Sequence, residues 1–169
     1  MQKKITLRKI TLTAILTAIS IIAFTIESLL PPLIIPGAKL GLSNIFILLI
    51  LLIIGEKYAF ISLVIKVILG GLFSGNISTI MYSLPSNLVA LFMQIILIIF
   101  TRKLSIVTIS IIGAIVNVTV QNTIFCLISK TFEFFAYLPY LSLISLFSGL
   151  LVGFTVYILI NKLPNALFV

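Results

Sequence analysis

The chain has 169 residues, 62% of them hydrophobic, with a mean hydropathy of +1.40 and a formal net charge of +8. A soluble core of this size would leave most helices apolar on every side with too few polar residues to cover them, so the composition excludes a water-soluble globule and makes lipid the solvent. Eight of the eleven basic residues, Lys3, Lys4, Arg8, Lys9, Lys57, Arg102, Lys103 and Lys162, fall in terminal segments or in two turns. That is the pattern of membrane topology, and without interleaved aromatic and basic residues it excludes a nucleic-acid partner.

Six apolar segments follow one another at about 10–30, 42–54, 58–73, 79–100, 106–129 and 136–160. The expected fold is an all-α integral membrane bundle of six transmembrane helices, forming one transmembrane domain over residues 1–169. Lys3 to Lys9 before the first run imitate a signal peptide, but the run exceeds an ordinary signal core, lacks a small-residue cleavage site and precedes five more such segments. It is expected to be retained. A spanning helix needs about 20 residues, so the second and third segments are short and call for tilt, unwinding or shielding by neighbours.

With the amino terminus inside, the Glu56/Lys57 and Arg102/Lys103 turns and Lys162 face the cytoplasm, leaving Lys39 and Lys130 outside. The expectation is a multi-pass protein of a bacterial cytoplasmic membrane with both termini cytoplasmic. Between the first two helices, Pro31-Pro32 ends a helix and Pro36-Gly37 turns, with Leu33, Ile34 and Ile35 between them. Residues 31–41 read either as an external lid or re-entrant loop or as a stiff linker.

Polar residues converge in depth. At about 1.5 Å rise per residue, Asn87 lies roughly 12 Å down the fourth segment from the outside and Lys66 roughly 10 Å down the third. Asn117, Gln121 and Glu27 fall in the outer half or near the midplane. A lysine at bilayer depth is costly without a partner or cavity. Lys66 therefore reads either as one half of a structural ion pair with Glu27, roughly 6 Å away in depth, or as a ligand-facing cation in a hydrated pocket. Asn117 and Gln121, four residues apart, share a helix face and suit a ligand of mixed polarity or interhelical hydrogen bonds equally. Gln94, nearer the cytoplasm, reads as structural.

Small residues mark close helix approaches. Ala14 and Ala18, reinforced by Thr11 and Thr17, form such a face on the first segment, and Gly149 and Gly153 another on the sixth; each suits packing within the chain or contact with a second membrane subunit. Gly70-Gly71 and Gly75 loosen or end the third segment. They lack the Lys-Ser/Thr ending of a phosphate loop.

With no His, three acids on separate segments and one Cys, the chain has no metal cluster, no catalytic triad and no acidic pair for magnesium. Cys126 reads as packing. Catalysis by this chain alone is not expected, and no intrinsic cofactor or metal is implied; a bound small organic ligand is.

The strings Glu27-Ser28, Pro36-Gly37-Ala38-Lys39-Leu40-Gly41-Leu42-Ser43-Asn44 and Lys66 to Gly75, with Tyr82-Ser83, Gly113 to Asn117, Gln121 and Tyr137-Leu138-Pro139, resemble the Gx transporter or heptaprenyl diphosphate synthase component I membrane family. Lys66 stands where many relatives have arginine, which keeps the charge but alters any bidentate contact. Val116 stands where histidine often precedes the asparagine.

That family is similar to the substrate-binding S components of energy-coupling factor (ECF) transporters. The resemblance implies a six-helix vitamin- or cofactor-binding subunit, a coupling-subunit contact at Ala14 and Ala18, a lid at 31–41 carrying Lys39, and ATP hydrolysis in partner ATPases. Lys66, Asn87, Asn117, Gln121, Glu27 and Lys39 are the candidate ligand-binding set. The family's other name implies a non-catalytic accessory component linked to prenyl diphosphate and menaquinone synthesis or to flavin-based extracellular electron transfer.

Overall fold

The computed structural model describes residues 2–29, 41–75, 77–101 and 104–162. The segment expected as a lid lies outside them apart from Gly41, and Lys39 lies outside with it. Among the described residues the chain forms α1 (Gln2–Leu29), α2 (Leu42–Ile53), α3 (Glu56–Phe73), α4 (Ser78–Phe100), α5 (Ile106–Ser129) and α6 (Leu138–Lys162), with a short 3-10 helix at Phe132–Tyr137 and no strand. The expected all-α bundle of six helices is what forms.

Boundaries differ where polarity, rather than helical tendency, had set the limit. α1 starts at Gln2, well before the apolar run at 10, because Lys, Arg and Gln propagate a helix readily. α3 starts at Glu56, an acid favoured by the positive end of the helix dipole. The sixth segment begins as the 3-10 turn, which hands over to α6 at Leu138 with Pro139 in the first turn, where its missing N–H costs nothing.

Among the described residues four stretches are long and apolar enough to cross a membrane: Leu7–Ser28, Ser78–Phe100, Ile106–Ser129 and Phe132–Lys162. α2, at 12 residues, reaches about 18 Å, short of the roughly 30 Å hydrocarbon layer. It is instead the apolar centre of the bundle. Ile45 and the run from Ile47 to Leu51 are buried, packed with Ala59, Leu63 and Val67 of α3, Leu91 of α4 and Val152 and Val156 of α6.

Elsewhere burial is inverted relative to a soluble protein. Ser20, Ser62 and Ser86 are fully buried and Lys66 is 1% exposed, whereas Phe73, Phe100 and Phe147 are 68%, 82% and 69% exposed. α1 has Thr13, Thr17, Ser20 and Glu27 facing in, and Ile15, Ile19, Ile22 and Ile26 facing out. Polar groups inside and aliphatic groups outside suit a lipid solvent, in which interior polar side chains hydrogen-bond across helices.

The helices pack as a ring in the order α1, α3, α4, α5, α6, α2 and back to α1, with α2 also against α3. Two glycines of α6 let the α5 backbone come close. A side chain at Gly149 would bring a Cβ within 2.7 Å of the Ile111 Cα, and one at Gly153 within 2.7 Å of the Val107 Cα. The Gly149/Gly153 face is thus used inside the chain, between α6 and α5. Thr17 is not part of an outward small-residue face: it is buried and donates to the Ser62 Oγ of α3 at 2.8 Å. Ser20 likewise donates to the Ser43 carbonyl of α2 at 2.8 Å.

Candidate functional site

All six helices contribute to one cavity. α1 supplies Phe24 and Glu27; α2 Ser43 and Asn44, preceded by Gly41; α3 Lys66; α4 Ser83 and Asn87; α5 Asn117 and Gln121; α6 Ser145 and Ser148. Its volume is about 70 Å³. That space holds one polar group or a few waters, well short of the roughly 300 Å³ that encloses a whole organic cofactor.

Each charged group is held by a helix start. Gly41 adopts φ 71°, a left-handed conformation that suits glycine, and its carbonyl accepts from the Asn44 N–H at 2.9 Å to open α2. The Leu42 N–H, one of the donors a helix start leaves unmet, goes to the Glu27 Oε1 at 2.8 Å. A carboxylate there also faces the positive end of the α2 dipole. One turn into α2, Asn44 turns its Oδ1 to the Lys66 Nζ, which donates at 2.7 Å. The ammonium also lies 6.0 Å from the Phe24 ring centroid, the outer limit of a cation–π contact. The Phe24 ring in turn occupies the space left by Gly70, where a Cβ would collide with it. One hydrogen bond of Glu27 and one of Lys66 thus run to α2, and both side chains line the same cavity.

Asn87 folds back on α4, its Nδ2 donating to the Ser83 carbonyl at 2.8 Å. The Ser86 hydroxyl donates to the same carbonyl at 3.0 Å. Asn117 differs: its Oδ1 is buried and makes no hydrogen bond among the described residues. Such an oxygen is expensive to leave unmet.

A second cavity of about 40 Å³ adjoins the first toward the other end of the bundle, sharing Asn44, Asn87, Asn117 and Ser148 with it. Gln94 and Ser110 line it, and Gly113 makes room, since a Cβ there would collide with the Gln94 amide.

The structure therefore brings Lys66, Asn87, Asn117, Gln121 and Glu27 to one cavity, while Lys39 lies outside the described residues. Ala14 and Ala18 are exposed on the outer face of α1, away from the cavity. Sequence reasoning missed Asn44 as a site residue, although it ends the Pro36–Asn44 string. Ser83 appeared only as part of the Tyr82-Ser83 string, and Ser145 and Ser148 carried no signal, because serine is common in membrane helices and only their direction brings them together. Around the C-terminal end of α5, Phe125 meets Tyr82 edge-on at 5.8 Å and Phe134 at 5.2 Å, and Asn122 donates to the Phe134 carbonyl at 3.3 Å, tying the 3-10 turn to α5. Among the described residues no group of His, Cys, Asp and Glu can hold a metal.

A family model described as heptaprenyl diphosphate synthase component I matches residues 16–159. No curated protein and no solved structure matches the chain.

Proposed function

The chain belongs to the heptaprenyl diphosphate synthase component I family, and from that membership and the shape of its interior we propose that it is a non-catalytic, membrane-embedded substrate-binding subunit. In this reading it resembles an S component and serves uptake of a small vitamin- or cofactor-like molecule. The observation that carries the proposal is the Lys66 ammonium, 1% exposed, in a cavity walled by all six helices. A fully packed structural bundle gains nothing from a hollow lined by charged, amide and hydroxyl groups, whereas a ligand with an anionic or electron-rich oxygen does.

The ligand enters from the Glu27/Gly41 end and sits with a polar group against Lys66, Asn87, Asn117 and Gln121. Lys57 and Lys162 occupy the opposite end of the bundle from Lys130, which supports a bacterial cytoplasmic membrane with both termini inside. Ala14 and Ala18, exposed on α1 among aliphatic residues, take the helix of a coupling subunit, and partner ATPases supply energy.

The family description favours a second reading, a membrane component that serves a prenyl diphosphate synthase, or a flavin-based electron-transfer system, by holding a ligand or docking the enzyme. Purification of the tagged protein from its native membrane separates the two. Coupling and ATPase subunits that copurify and are lost in Ala14→Trp/Ala18→Trp support the uptake reading, whereas copurification of prenyl synthase subunits supports the second.

A further inference from the structure

The two adjoining cavities differ in chemistry. Among the described residues the outer one is lined by the Lys66 ammonium and the Glu27 carboxylate, and the inner one by no charged residue, but by the amides of Asn44, Asn87, Asn117 and Gln94 and the Ser110 hydroxyl. A charged group in the inner cavity would be desolvated without a counter-charge there. A purely apolar group would leave several amides unmet. Asn117 lines both cavities and carries the oxygen without a hydrogen bond. Half a turn of its amide offers that oxygen to a donor in the inner cavity.

Resting on the reading of the outer cavity as a ligand site, we propose that the pair forms a two-part recognition site. The outer cavity takes an anionic oxygen at Lys66. The inner cavity takes an uncharged group that both donates and accepts hydrogen bonds, a carboxamide or the C=O/N–H edge of a lactam, held by Asn117 and Gln94. Groups that only accept, such as an oxidised quinone or a fully ionised phosphate, leave the Asn117 oxygen unmet.

Gly113 determines the depth of the inner cavity. The Gln94 amide lies in the space a Cβ at residue 113 would occupy. Because the colliding atoms are the far end of a flexible side chain, Gly113→Ala displaces Gln94 into the inner cavity and leaves Lys66 and its surroundings in place.

The test uses the full chain in nanodiscs and two matched pairs of probes, butyrate with succinamate and benzoate with 4-carbamoylbenzoate. Each pair presents the same carboxylate without and with a terminal carboxamide. In the wild type the carboxamide member of at least one pair binds about tenfold tighter, the worth of two net hydrogen bonds. Gly113→Ala and Gln94→Leu each reduce that gain below about twofold and leave the parent carboxylate unchanged. Lys66→Met weakens all four. Equal Lys66-dependent binding within both pairs overturns the two-part site alone, as does a gain that survives both variants. No Lys66-dependent binding of any probe overturns the ligand-site reading with it.

Discussion

The Lys66 ammonium of α3 donates to the Asn44 Oδ1 of α2 at 2.7 Å, joining a fully buried cation to the shortest of the described α-helices. An amide orients an ammonium but, being neutral, does not cancel its charge. The Glu27 carboxylate lines the same cavity.

Replacing Asn44 separates structure from recognition. Asn44→Leu removes a hydrogen bond to a charged group and is expected to cost about 1.5–3 kcal/mol of stability. Asn44→Asp supplies an internal counter-ion, so thermal unfolding in nanodiscs is expected at or above the wild-type temperature, with binding of a small carboxylate such as benzoate weakened by at least about tenfold. Undiminished benzoate binding in Asn44→Asp would show that Lys66 serves only the fold.

Glu27 is expected to act through the start of α2. Glu27→Leu strands the Leu42 N–H and costs about 1–3 kcal/mol. Glu27→Gln keeps an acceptor there and loses only the attraction to the helix dipole, about 0.3–1 kcal/mol. Thermal unfolding that ranks Gln no better than Leu contradicts that role.

The two small-residue faces are expected to behave oppositely. Gly153 meets the Val107 backbone inside the chain, so Gly153→Leu overpacks the α5–α6 contact and costs about 1–3 kcal/mol or more. Ala18 is exposed, so Ala18→Trp changes stability by less than about 0.5 kcal/mol. Matched unfolding of the two variants in nanodiscs checks the contrast, and a large loss in Ala18→Trp refutes the assignment of that face to a partner.

Topology is tested with single cysteines in a Cys126→Ser background, which removes the buried native thiol. Lys57→Cys and Ile77→Cys lie at opposite ends of the bundle, the first in the opening turn of α3 and the second just before α4. Membrane-impermeant reagents are expected to label residue 77 from outside and residue 57 only after permeabilisation. Labelling of both from one side rules out the proposed orientation.

Depth was legible in the sequence and direction was not. Helical rise set Lys66, Asn87, Asn117 and Gln121 at similar levels, and the apolar runs placed α4 and α5 within a residue of their ends. Which way a side chain points around a uniformly apolar helix has little signature, since lipid and interior are both apolar. So the sequence left open whether the Ala14/Ala18 face with Thr17 packs inside the chain or outside it, and Thr17 proves to bond to Ser62 within it; nor did the sequence show that Glu27 accepts from the Leu42 N–H. Gln94 read as structural, and only the space left by Gly113 places it beside a cavity.

The most direct test of the central claim is thermal stabilisation of purified wild type and Lys66→Met in nanodiscs by a panel of flavins, thiamine precursors, quinone headgroups and prenyl phosphates. The account predicts that at least one class raises the unfolding temperature of the wild type in a dose-dependent way and leaves Lys66→Met unchanged. A panel that stabilises both proteins equally, or neither, would contradict a ligand site built on Lys66.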